Sequence, residues 1–76
     1  MDLTRGEFCQ FNLTTRSALL REFGKNVIRK RINRKMISIY HLFGFYVEVY
    51  VNLASNEVEK IEPVRNEDFL DAYDGL

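Results

Sequence analysis

The side chains able to do chemistry are few. One histidine, His41, and one cysteine, Cys9, could begin a metal site, but structural zinc takes about four protein ligands, and two do not make a site. Ser17, Ser38 and Ser55 stand in no nucleophile motif, no glycine-rich loop offers a phosphate cradle, and the carboxylates show no metal-binding spacing. Glu48, set among apolar residues in "FYVEVYV", would need a second group and a pocket to act as a general base. These residue types and spacings point away from an enzyme, and imply no cofactor and no metal.

Two surface chemistries remain. The stretch "YHLFGFYVEVYV", residues 40–51, alternates as an extended chain does, which puts Tyr40, Tyr46, Glu48 and Tyr50 on the face opposite the valines. Tyrosines grouped on a sheet face have the composition of a protein interface. Ordinary cross-strand aromatic pairing, worth about 0.2–1 kcal/mol per pair, is the alternative. Glutamate is depleted in strands, so Glu48 calls for a cation, with Arg29, Arg31 and Lys60 as candidates. The second chemistry is the basic run "KNVIRKRINRK", residues 25–35, in which Lys25, Arg29, Lys30, Arg31, Arg34 and Lys35 stand without an acidic residue among them. Arg29, Arg31, Arg34 and Lys35 could bind nucleic-acid phosphates while nearby tyrosines stack on bases. A net charge of zero and an acidic carboxyl half weigh against that partner.

Caps and periodicity place the elements that must hold these residues. Thr14 is a candidate N-cap with Leu13 and Ala18 as a hydrophobic staple, Leu19, Leu20 and Phe23 form an apolar face, and Gly24 stands where a helix ends in the left-handed conformation. A helix over 15–23 follows, with "RGEFCQF" as a helical turn that tucks Phe8 and Phe11 beneath it. Residues 27–32 could prolong the helix; Gly24, Asn26 and the β-branched residues favour an edge strand, with Lys30 pointing inward between Ile28 and Ile32 and "NRK" as the turn.

Ile37, Ile39 and His41 alternate with Ser38, Tyr40 and Leu42, and Phe45, Val47, Val49, Val51 and Leu53 alternate with Tyr46, Glu48, Tyr50 and Asn52, so both segments read as strands. Placing Ile37 and Ile39 on the face of Val47 and Val49 requires paired residue numbers with an even sum. That predicts a loop of three or more residues with Gly44 at positive φ, and His41 on the core side. "ASNE" is the next turn. "VEKIEPV" is a last strand whose Val58-to-Ile61 spacing implies a bulge, and Pro63 ends its pairing. Asn66 then caps a short helix with Glu67 and Asp68 in its first turn and Phe69, Leu70 and Tyr73 turned inward. The expectation is one α+β domain over residues 1–76: an N-terminal helix, an antiparallel meander of three or four strands, and a short C-terminal helix, with helices on one face.

Composition sets the context. Apolar residues make up 46% of the chain and charged residues 29%, the balance of a folded domain with a small core. No apolar run approaches the roughly 18 residues of a membrane helix, the first residues lack a signal-peptide core, and a single cysteine forms no internal disulfide, all of which suits a cytoplasmic protein. Residues 1–35 hold nine Lys/Arg against three Asp/Glu, a net of +6, and residues 36–76 hold two against eight, a net of −6. Halves of opposite sign suit a homodimer in which each basic half meets its partner's acidic half. The expected function is a non-enzymatic interaction module that binds itself or another protein through the tyrosine face, with nucleic-acid binding as the alternative and no membrane partner.

The segment "ISIYHLFGFYVEVYVNLASNEVEKI" resembles a group of small uncharacterised bacterial-type proteins with a Leu-Tyr-x-Leu-x-Gly-Phe-Tyr-Val-Glu-Val hairpin followed by an Asn-x-Ile strand. The matching residues are Ile39, Tyr40, Leu42, Gly44 to Val49, Asn56 and Val58, with "LLREFG" upstream. The resemblance brings no activity. It implies that Tyr46 and Glu48 belong to a recurring motif.

Overall fold

The computed structural model describes residues 3–64. Two helices, α1 (Arg5–Phe8) and α2 (Leu13–Phe23), precede four strands, β1 (Lys25–Ile32), β2 (Lys35–Leu42), β3 (Phe45–Asn52) and β4 (Glu57–Pro63). The strands form one antiparallel meander in the order β1-β2-β3-β4, as expected for an α+β chain. The expected C-terminal helix lies outside the described residues.

Local chemistry explains each helix. A capping box starts α1: the Thr4 hydroxyl accepts from the Glu7 N–H at 3.1 Å, and the Glu7 carboxylate accepts from the Thr4 N–H at 2.9 Å. The Thr4 backbone donor, then the Thr4 hydroxyl, hold the Glu7 carboxyl below its ordinary value. This turn delivers Phe8 to the core, where it meets Phe45 edge-on at 5.7 Å; Phe11, expected beside it, stays 36% exposed. The N-cap of α2 is Asn12 and not Thr14. The Asn12 Oδ1 accepts from the Thr15 N–H at 2.9 Å, so the helix starts two residues earlier than expected. Gly24 is extended (φ −78°, ψ 148°), not left-handed. Its lack of a side chain matters because a Cβ there would lie 2.6 Å from the Leu20 carbonyl oxygen.

Both hairpin turns at the ends of β2 have two residues. Ile32 pairs with Lys35 around Asn33-Arg34, so Lys35 belongs to β2 and not to the turn. Leu42 pairs with Phe45 around Phe43-Gly44, which overturns the expected longer loop. The left-handed residue is Phe43 (φ 55°), where Gly44 was expected, and Asn33 (φ 56°) matches it in the first turn. Positive φ at the first central position is the type II′ pattern, whose twist suits a hairpin. A left-handed non-glycine residue costs about 1–2 kcal/mol; contact between the Phe43 and Phe23 rings, 5.4 Å apart, offsets part of it.

This turn reverses the expected register. Paired numbers in β2 and β3 have an odd sum: Ser38 faces Val49, Ile39 faces Glu48, and Tyr40 faces Val47. Directly paired residues share a face. Tyr40 and Leu42 therefore lie with Val47 and Val49 on the helix side, while Ile37 and Ile39 lie on the other. The helix-side core joins Phe8, Leu20, Leu42, Phe45, Val47, Val49 and Ile61, with Tyr40 packed against it. His41, expected on the core side, is exposed.

β4 shows the expected irregularity. Tyr50 pairs with Lys60 and Val51 with Val58, leaving Glu59 bulged. Its outer edge is tied to the helices by Arg16. The guanidinium donates to the Ile61 carbonyl at 2.6 Å, to Phe11 at 2.9 Å and to Cys9 at 2.8 Å, and lies 5.4 Å from the centre of the Phe8 ring.

Candidate interaction surface

The residues facing away from the helices form ordered rows across the sheet. One row runs Ile28, Ile39, Glu48, Glu62 and the next Lys30, Ile37, Tyr50, Lys60, with His41 and Tyr46 paired at one end. The centre is apolar and aromatic. The β1 side carries Lys25 and Lys30, and the β4 side carries Glu57, Lys60 and Glu62. Ile37 and Ile39 are buried, Ile28 is half-buried and Ile32 is 41% exposed. The His41 and Tyr46 rings lie 5.1 Å apart.

Of the three candidate cations for Glu48, the structure selects Lys60. Its ammonium lies 3.8 Å from Glu48, 3.5 Å from Glu62 and 4.8 Å from the centre of the Tyr50 ring. Lys60 thus bridges two carboxylates that would otherwise repel, over an aromatic face. Each contact is worth about 0–1 kcal/mol at such exposure, so the cluster orients side chains more than it stabilises the fold.

The expected tyrosine quartet is divided. Tyr46, Glu48 and Tyr50 share this face, whereas Tyr40 packs on the helix-side core. In place of Tyr40 the face carries Ile28, Ile37 and Ile39, which the expected register had hidden. A two-residue Phe43-Gly44 hairpin, taken at face value, would have revealed them.

The basic run is divided as well. Arg29 pairs with Ser38 and Arg31 with Met36, which sets both arginines on the helix side of β1, while Lys30 points the other way. Arg34 occupies the first hairpin turn, and Lys35 lies 3.3 Å from Glu59. Arg29 and Arg31 thus lie on the opposite side of the sheet from Tyr46 and Tyr50, and the one expected tyrosine on their own side, Tyr40, packs against the helix-side core. Among the described residues no group of three or more His, Cys, Asp and Glu could hold a metal, and no helix is long and apolar enough to cross a membrane.

No protein family, curated protein or solved structure significantly matches this chain.

Proposed function

We propose that this protein is a non-enzymatic interaction module that self-associates through the sheet face bearing Tyr46, Glu48 and Tyr50. The observation that carries the reading is the aromatic and apolar surface of that face: Tyr46, Tyr50 and Ile28 are half-buried on it and Ile32 is 41% exposed. A two-fold axis running between stacked sheets, parallel to the strands, sets β1 of one copy over β4 of the other. Each row then lies over its own copy, which sets Ile37 over the partner's Tyr50 and, at the rim, Lys30 over the partner's Lys60. The contact is isologous, and its attraction is aromatic and apolar, not ionic. Four strands about 4.8 Å apart and about eight residues long give a face of roughly 19 by 26 Å. Two such faces bury on the order of 1,000 Å², close to the lower bound of a specific interface. The dimer is accordingly weak and concentration-dependent.

Light scattering over a micromolar-to-millimolar series tests this. The mass should rise towards a dimer, and Tyr46→Ala/Tyr50→Ala should move the rise to higher concentration. Ile32→Glu, at a partly exposed position that the fold tolerates, should do the same. A wild type that remains monomeric at millimolar concentration would remove the proposal.

A further inference from the structure

We infer that the outer edge of β1 is a strand-addition site for an extended acidic peptide, a site separate from the self-association face. Residues that close a two-residue hairpin exchange both backbone hydrogen bonds, and such pairs alternate along an antiparallel ladder. Ile32 closes the first hairpin with Lys35, so Ile28, Lys30 and Ile32 turn their N–H and C=O groups towards β2. The backbone groups of Arg29 and Arg31 point outward. The same alternation on β4 leaves the Ile61 carbonyl outward, and there Arg16 takes it at 2.6 Å.

The two edges of the sheet are therefore managed differently. On β4, Arg16 occupies an outward carbonyl, Glu59 bulges and Pro63 lacks an N–H, so a new strand finds no continuous ladder. On β1, the irregularity falls between Asn26 and Ile28, and residues 28–32 pair regularly. The protection there is charge. β1 carries Lys25, Arg29, Lys30 and Arg31 and no acidic residue, and none of these forms an ion pair among the described residues.

Charge of one sign excludes some occupants and selects another. A second β1 would place arginine against arginine. A second copy's β4 is closed by Arg16 and Pro63. A nucleic-acid strand would bring phosphates against the outward carbonyls of Arg29 and Arg31; the side chains across from these arginines, Ser38 and Met36, offer no ring for a base, and the neighbouring Tyr40 is packed against the helix-side core. A peptide strand satisfies both the donors and the acceptors of the edge. Glutamate or aspartate at every second position would set carboxylates beside Arg29 and Arg31 on the same face.

The test uses fluorescence anisotropy with a dye-labelled synthetic peptide alternating glutamate with threonine, added to the full chain at low salt. Binding should be saturable and should fall by about tenfold or more when the glutamate amides are N-methylated, which keeps the charge and blocks pairing. Arg29→Glu/Arg31→Glu, with its fold checked by circular dichroism, should lose the acidic peptide and gain a lysine-threonine counterpart. Equal binding of the N-methylated peptide would overturn strand addition. Displacement of the peptide by single-stranded oligothymidine of equal charge would make the edge a general polyanion site and overturn the assignment to peptide. Absence of peptide binding at low salt would also overturn it.

Discussion

Arg16 is predicted to carry a large share of the stability, and its contribution can be worked from its contacts. Its guanidinium donates to three carbonyls, those of Phe11, Cys9 and Ile61, and lies against Phe8. A hydrogen bond from a charged group is worth about 1.5–3 kcal/mol net when buried. Only the bond to Ile61 is partly buried, so the lower value applies there, and the two exposed bonds add about 0.5 kcal/mol each where water competes. The cation–π contact adds about 0.5–1 kcal/mol. The sum is about 3 kcal/mol, in a domain whose whole stability should be roughly 4–11 kcal/mol. Arg16→Met keeps the packing of the stem over Phe8 and removes every donor. At a urea m-value of about 1 kcal/mol/M for so small a domain, its unfolding midpoint should fall by about 3 M. Arg16→Lys keeps the charge without the planar fork and should lose about 2 kcal/mol. A loss below about 0.5 kcal/mol for Arg16→Met would refute the idea that this side chain ties β4 to the helices.

Gly24→Ala should destabilise by about 1–3 kcal/mol in a thermal melt, because the new Cβ would lie 2.6 Å from the Leu20 carbonyl oxygen; an unchanged melt would mean that the junction between α2 and β1 is wider. In a Cys9→Ser background, His41→Cys/Tyr46→Cys should oxidise to an internal disulfide, since these residues form a non-hydrogen-bonded cross-strand pair, with Cα atoms about 4.5 Å apart. Failure to form it would restore the even-sum register. By NMR the Glu7 carboxyl should titrate below an ordinary glutamate, because the Thr4 backbone donor and then the Thr4 hydroxyl favour its charged form. Since its folded value is depressed, its contribution to stability is present above the unfolded value and disappears as pH falls through the folded one; Glu7→Gln should flatten the acid limb of a stability–pH curve, and an unchanged limb would count against the capping box.

The elements were legible because their signals are local. Alternation marks β2 and β3, the Val58-to-Ile61 spacing marks the bulge at Glu59, and Pro63 marks the end of β4. Register was not legible, because β2 is apolar on both faces: Ile37 and Ile39 on one, Tyr40 and Leu42 on the other. Alternation alone cannot orient such a strand. The deciding feature is a turn in which Phe43 takes the left-handed conformation that intrinsic preference assigns to Gly44. That single choice moved Tyr40 off the candidate surface and brought Ile37 and Ile39 onto it. Arg16 looked like one more charge in the basic half, and its partner Ile61 is 45 residues away, beyond any local pattern.

The most direct measurement of self-association through the sheet is an isotope-filtered NOE experiment on a mixture of labelled and unlabelled protein at high concentration. Cross-peaks between copies should link the Ile28 and Ile32 methyls of one to the Tyr46 or Tyr50 ring of the other, and Tyr40 should show none. A sample that tumbles as a monomer at the highest concentration, or intermolecular cross-peaks confined to α2 or to the outer edge of β1, would contradict it.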